Sequence, residues 1–67
     1  MPEIELNGAV HALPEGATLS DLVDALGLAG QALALALNRH VVPRERWPAT
    51  RPQARDRVDV VRAIGGG

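Results

Sequence analysis

Two structures are possible for the seven residues Gln31-Ala32-Leu33-Ala34-Leu35-Ala36-Leu37. Alanine and leucine favour helices, but the leucines here recur at every second position. A helix would scatter these leucines around its surface, whereas a strand would place all three on one face and the alanines on the other. The period of two therefore predicts a strand in which Leu33, Leu35 and Leu37 are all buried against a helix.

The residues before this run begin with the pattern of a β-hairpin. Glu3–Leu6 and Ala9–Leu13 both alternate polar and apolar residues. Between them lies Asn7-Gly8, the dipeptide most typical of a two-residue type I′ turn. We therefore expect two antiparallel strands, which Pro14-Glu15-Gly16 brings to an end.

An amphipathic helix is predicted next. Thr18 and Asp21 have the spacing of a capping box, with Asp in place of the usual Glu or Gln. Four apolar residues then have the spacing of a single helix face: Leu19, Leu22, Val23 and Leu26. Gly27 stands where a glycine commonly ends a helix. We expect this helix to cover the leucine face of the predicted strand.

The residues after the leucine run predict two further strands. Asn38-Arg39-His40 is expected to turn the chain, and Val41-Val42-Pro43 to form a short strand that its proline confines to a sheet edge or a strand end. A loop is predicted from Arg44 to Asp56, with a short helical turn around Glu45-Arg46-Trp47. The last strand is Arg57–Arg62, which leads directly into the C-terminal residues.

This order of elements predicts an α+β fold of the β-grasp, or ubiquitin-like, type. In such a fold a mixed sheet of about five strands carries one main helix packed on one face. The final strand is expected to lie in the middle of the sheet. We expect residues 1–62 to form the β-grasp domain and residues 63–67 to form a flexible glycine tail.

Composition excludes several classes of function. The chain has no cysteine, one aromatic residue and a formal net charge of −1. The lack of cysteine excludes disulfides, thiolate nucleophiles and the usual zinc sites. Nucleic-acid binding is excluded because the chain has neither a run of basic residues nor several aromatic residues on which bases could stack. No apolar stretch is long enough to span a bilayer. We expect a cytoplasmic protein, monomeric on its own, in which His11 and His40 bind no metal.

The C-terminal residues Ala63-Ile64-Gly65-Gly66-Gly67 are the candidate working part of the chain. Three glycines add nothing to a hydrophobic core, but a segment without side chains can enter a narrow cleft of a partner enzyme. Five extended residues reach roughly 16–18 Å. They would present the unhindered α-carboxylate of Gly67. The alternative is an inert chain end, since glycine is common there.

The chain resembles a known family at several points. These are Asn7-Gly8, Asn38, the Val42-Pro43-Arg44 segment followed by Trp47, and the ending from Asp56 to Gly67. The resemblance is to the sulfur-carrier proteins of thiamine biosynthesis, the ThiS family, and it covers essentially the whole chain. Two departures are Arg39 and Arg55, which stand where the family often has glycine. Both positions are expected to need a positive φ, which costs more for arginine than for glycine.

This resemblance implies a carrier and co-substrate that is not itself an enzyme. The Gly67 carboxylate would be adenylated by an E1-like enzyme and converted to a thiocarboxylate. Thiazole synthase would receive the sulfur, which a sulfur donor or sulfurtransferase would supply. ATP and Mg²⁺ would belong to the activating partner, so this chain would bind no cofactor. Elementary chemistry agrees with this order of steps, because a free carboxylate is a poor electrophile and adenylation supplies a leaving group.

A candidate docking surface for these partners includes Ala34, Ala36, Val61 and Arg62. The two alanines and Val61 are predicted to lie on the sheet face away from the helix, where small apolar residues make a flat surface. The alternative is an ordinary exposed sheet face. Trp47 is expected to seal the open side of the sheet rather than to contact a partner, and Arg44 to be a solvated arginine.

Three other functions share parts of this pattern. A carrier like the small subunit of molybdopterin synthase would use the same chemistry, although it is usually longer and richer in aromatic residues. A ubiquitin-like modifier would join Gly67 to a lysine of a target protein. A β-grasp interaction module without chemical activity would leave the tail inert.

Overall fold

The computed structural model describes residues 3–62 of the chain. The elements within this range, in order, are β1 (Glu3–Leu6), β2 (Ala9–Ala12), α1 (Leu19–Ala25), β3 (Leu33–Leu37), β4 (His40–Val42), a 3₁₀ helix (Arg44–Ala49) and β5 (Arg57–Arg62). The leucine run is a strand, as its period predicted. The β-grasp fold, with a mixed five-stranded sheet and one main helix, is confirmed.

The five strands form one sheet in the order β2-β1-β5-β3-β4. β5 lies in the centre, parallel to β1 and antiparallel to β3. β2 and β4 are the two edges, and each is joined to its neighbour by a hairpin. β5 is therefore paired on both sides at its beginning, whereas its last residues pair with β3 alone.

Both hairpins have two-residue turns with positive φ angles. Asn7 and Gly8 have φ 49° and 85°, as the predicted type I′ turn requires. Asn38 and Arg39 have φ 50° and 71°. His40, which was predicted to lie in the second turn, instead begins β4, because a two-residue turn is sufficient to reverse the chain.

Strand β2 is one residue shorter than predicted. It ends at Ala12, and Leu13 lies in the hydrophobic core with 2% of its surface exposed. The alternation of the hairpin continues through Leu13, but Pro14 follows it and has no N–H to extend a ladder. Leu13 thus serves the core without pairing in the sheet.

Helix α1 has the predicted signals at both ends. The Thr18 hydroxyl accepts a hydrogen bond from the Asp21 N–H at 3.1 Å, and the Asp21 carboxylate accepts one from the Thr18 N–H at 2.9 Å. At the other end Gly27 has φ 73°, and the N–H groups of Gly27 and Leu28 donate to the carbonyl oxygens of Asp24 and Val23. This is a Schellman motif, which satisfies the last carbonyls of the helix.

The core lies between α1, the 3₁₀ helix and one face of the sheet. Its buried members are Ile4, Leu13, Ala17, Leu19, Leu22, Val23, Leu35, Trp47 and Val58. Of the three leucines of β3, only Leu35 is fully buried, whereas Leu33 and Leu37 are half-buried and pack against the core. The expectation that all three are buried was wrong for these two, because they are the first and last residues of the strand. Within residues 3–62, no helix has both the length and the apolar character needed to cross a membrane.

Candidate functional site

The tail predicted to carry the chemistry, Ala63 to Gly67, lies outside the described residues. The structure does describe the strand that leads to it. Two asparagine side chains secure this strand, one from each hairpin turn. Asn7 Oδ1 accepts a hydrogen bond from the Val60 N–H at 2.8 Å, and Asn38 Oδ1 accepts one from the Arg57 N–H at 2.9 Å. Asn7 thereby extends the pairing of β5 beyond the last residue of β1.

The sheet face away from α1, here named the outer face, has a small apolar surface at its β3 end. Ala34 lies opposite Val61 of β5, and Ala36 lies opposite Val41 of β4. Val61 and Val41 are 62% and 74% exposed, so they are among the few large apolar side chains that face solvent. The prediction that Ala34, Ala36 and Val61 share this face agrees with the strand register.

Val41 is a member of this surface that the sequence reasoning did not include. The alternation of side chains within β4 could have indicated it. Val42 packs against the core, so Val41 must point to the opposite face. The pairing of Val41 with Ala36 was not predictable from that alternation alone, because it depends on the register between two strands.

Arg62 does not belong to the outer face. In β5 the side chains of Val58 and Val60 point toward the core, and Arg62 follows the same alternation. Its register partner is Leu33, which also packs against the core side. Arg62 is exposed at the end of the strand, so the candidate docking residues lie on two faces of the sheet, and the docking role of Arg62 stays a prediction.

A group of charged side chains occupies the middle of the outer face. Arg57 Nε lies 3.3 Å from an oxygen of Asp59 and 3.8 Å from one of Glu5, and all three side chains are partly exposed. Exposed ion pairs of this kind add about 0–1 kcal/mol to stability. Their consequence is a polar border along one side of the apolar surface.

Trp47 is a core residue that also organises the surface beside it. It is 5% exposed, and its indole Nε1 donates a hydrogen bond to the Val42 carbonyl oxygen at 2.9 Å. The guanidinium of Arg44 lies 4.7 Å from the centre of the indole ring, and its Nη2 donates to the carbonyl oxygen of Gln31. Arg44 is exposed as expected, but these two contacts hold it in place, so it is not simply a solvated arginine.

The described residues carry no cluster of ligands that points to a metal. No group of three or more His, Asp or Glu side chains with suitable spacing occurs between residues 3 and 62. His11 lies on β2 and His40 on β4, which are opposite edges of the sheet.

Fold and site together define a small ubiquitin-like domain whose central strand leads to a glycine-rich end. The sequence model of the ThiS family matches residues 2–67, which is nearly the whole chain. The chain belongs to the ThiS family.

Individual relatives agree with this family. The sulfur carrier protein ThiS of Escherichia coli strain K12 is 31% identical over 65 residues, which cover 97% of this chain and 98% of that protein. The crystal structure of the thiamine biosynthesis protein (ThiS) from Geobacter metallireducens matches with a TM-score of 0.80 and 26% identity, covering 97% of this chain and 99% of that one.

A third relative is a longer protein. A thiazole synthase of Magnetococcus marinus is 40% identical over 65 residues, which are 97% of this chain. The chain spans only 20% of that relative's length. A segment resembling this chain therefore occurs within a protein that bears the name of thiazole synthase.

Proposed function

We propose that this chain carries sulfur for thiamine biosynthesis, as a thiocarboxylate formed at Gly67. The observation that carries the proposal is the ThiS family match, which extends through the final glycines, residues 2–67 in all. The β-grasp fold and the 98% coverage of the Escherichia coli carrier support it. The chain acts as a co-substrate of its partner enzymes and performs no catalysis itself.

The chemistry requires two displacement steps at the terminal carboxylate. A carboxylate oxygen attacks the α-phosphorus of ATP, and pyrophosphate leaves as the acyl adenylate forms. Sulfide from the donor then attacks the acyl carbon, the carbon–oxygen bond to phosphate breaks, and AMP leaves with the thiocarboxylate formed. Where the donor presents its sulfur as a persulfide, the first product is an acyl disulfide, and a thiol must then reduce its sulfur–sulfur bond to release the thiocarboxylate. ATP and Mg²⁺ belong to an E1-like activating partner, where the metal offsets the charge of the phosphates.

The domain contributes placement of the tail. β5 pairs with β1 at its beginning and with β3 as far as Arg62, and the side chains of Asn7 and Asn38 bond to its backbone, so the sheet holds the root of the tail. Reactions of this kind are sensitive to misplacement by about an ångström. A rigid root therefore allows an enzyme that grips the domain to position Gly67.

The outer face is the proposed docking surface for the activating enzyme. Ala34, Ala36, Val41 and Val61 make it apolar and flat, and the charged group around Arg57 borders it. An exposed apolar surface with a polar border is typical of a protein contact. Arg62, at the end of β5, would contact the enzyme where the tail enters its cleft.

Thiazole synthase is the proposed acceptor of the sulfur. The support is the Magnetococcus marinus relative, a protein of that name that contains a segment 40% identical to this chain. Domains that occur joined in one chain frequently correspond to proteins that act together when separate. The sulfur donor is a separate partner, because the chain has no cysteine that could hold a persulfide.

Mass spectrometry of the intact chain tests the proposal. After incubation with the activating enzyme, ATP and a sulfur source, the chain should gain the mass difference of one oxygen replaced by sulfur, located at Gly67. A chain lacking Gly67 is the matched control and should react far more slowly, since its carboxylate falls about 3.5 Å short. An unchanged mass of the intact chain, with an enzyme active on another carrier, would refute the proposal.

A further inference from the structure

Among the described residues, no strand pairs with the β4 side of β3 at its beginning. β4 pairs only with Leu35, Ala36 and Leu37, because Pro43 ends it and the chain then turns into the 3₁₀ helix. No residue of β4 lies opposite Leu33. The sheet edge is therefore open over the first part of β3.

The register shows which backbone groups face this opening. In a hairpin with a two-residue turn, the residues that flank the turn form a hydrogen-bonded pair, here Leu37 with His40. Every second residue of β3 then directs its N–H and C=O toward β4. The N–H and C=O of Leu35 pair with Val42, and the N–H and C=O of Leu33 point into the opening.

A groove of about 570 Å³ lies at this opening. Its wall includes Gly30, Gln31, Ala32, Leu33, Ala34, Arg44 and Val61. Arg44 is the one charged side chain in this described lining, and no carboxylate of residues 3–62 forms a salt bridge with it. The groove thus combines backbone hydrogen-bonding groups, small apolar walls and an uncompensated positive charge.

Two contacts fix the position of the Arg44 guanidinium before any ligand binds. Arg44 stacks on Trp47 and donates one hydrogen bond to Gln31, while a guanidinium has five N–H donors in a rigid fork. Such a fork matches the two oxygens of a carboxylate, and ordering it beforehand lowers the entropy lost on binding. A carboxylate at this place would meet a preformed partner.

We propose that this groove binds an extended acidic segment of the activating enzyme. The segment adds to the edge of β3 by pairing with the backbone of Leu33, and its Asp or Glu side chain binds Arg44. Because Leu33 is also the register partner of Arg62, β3 alone would separate the segment from the root of the tail. This inference rests on the proposed function, and it names a second contact besides the outer face.

Kinetics with matched arginine variants test the proposal. The measurement is ATP–pyrophosphate exchange by the activating enzyme. Arg44→Gln should raise KM for the carrier about 10–100-fold, because a charge-assisted contact is lost, and should leave kcat nearly unchanged. The KM of Arg44→Lys should lie between that of the parent chain and that of Arg44→Gln, because lysine keeps the charge but lacks the forked pair of N–H donors. Arg46→Gln removes the same charge from the same 3₁₀ helix and should change KM by less than about twofold.

Hydrogen exchange supplies a second measurement that does not depend on a variant. The Leu33 amide of the intact chain should exchange more slowly in the complex with the activating enzyme than in the free protein. Equal KM values for Arg44→Gln and Arg46→Gln, or an unchanged exchange rate at Leu33, would refute the proposed binding of an acidic segment in the groove. Neither result would count against the carrier function. Failure of the enzyme to activate even the intact chain would refute the carrier function, and this inference with it.

Discussion

Arg39 and Arg55 adopt backbone conformations that suit glycine. Their φ angles are 71° and 72°, in the left-handed region where a Cβ atom causes strain. Arg39 follows Asn38 in a hairpin turn, where Asn-Gly is the preferred pair. The N–H of Arg55 donates to the Glu3 carbonyl oxygen at 2.7 Å. The hairpin turn therefore holds Arg39, and a backbone hydrogen bond holds Arg55, in conformations that arginine does not favour by itself.

Glycine at either position should stabilise the domain. We expect Arg39→Gly and Arg55→Gly each to raise the free energy of unfolding by about 0.5–1 kcal/mol, because the relief of left-handed strain exceeds the added entropy of the unfolded chain. Thermal melting should show a rise of roughly 2–8 °C for each change.

The control for this prediction is glycine where no such strain exists. Arg46 does not have a positive φ, so Arg46→Gly should lower the melting temperature. If all three glycine variants melted below the parent chain, the relief of left-handed strain at Arg39 and Arg55 would be smaller than the entropy that glycine adds to the unfolded chain.

At the level of elements, β3 joins the core to the functional surfaces. Its leucines face α1, its alanines contribute to the outer face, and its first residue borders the groove beside Arg44. The strand has this double role because successive side chains alternate between the two faces. Substitutions in β3 should therefore separate into those that change stability and those that change binding.

Leu35 is the residue of β3 on which stability depends most. It is fully buried, so Leu35→Ala should lower the free energy of unfolding by about 2–5 kcal/mol through lost burial and the cavity left behind. A domain of this size has only a few kcal/mol in total, so much of the variant should be unfolded.

Urea unfolding measures this effect, with Leu37→Ala as the comparison. Leu37 is half-buried, so its truncation should have a clearly smaller effect. Equal effects of the two changes would contradict the burial difference between the middle and the end of the strand.

For the whole molecule, the folded domain and the chemical step are separable. The described core, sheet and helix lie within residues 3–62, whereas the proposed reaction takes place at Gly67. Stability and activity should accordingly respond to different substitutions. The groove beside Arg44 and the outer face connect the two, because both lie next to β5.

Gly66→Ala should impair activation and leave stability unchanged. The added methyl group lies one residue from the reacting carboxylate, where it would obstruct a narrow enzyme cleft, and residue 66 lies outside the core described here. ATP–pyrophosphate exchange and thermal melting of the same preparations would measure the two properties. Unchanged exchange would show that the cleft does not require glycine at this position.

The sequence by itself determined the kinds of elements and the family of this protein. The period of the leucine run, the Thr18–Asp21 capping box and the Asn7-Gly8 turn are local signals, because each depends on residues close together in the chain. The glycine ending and the Val42-Pro43-Arg44 segment could be compared directly with known proteins. No knowledge of distant contacts was needed for these inferences.

Only the tertiary structure decided which surface residues lie together. Val41 joins Ala36 on the outer face, and Arg62 lies opposite Leu33 on the other face, because strand register sets these neighbours. Arg44 meets Gln31 and Trp47 only because β4 ends early and the chain turns into a 3₁₀ helix. Strand register and the point where β4 ends set these contacts, so they depend on how the strands pair and pack rather than on local pattern.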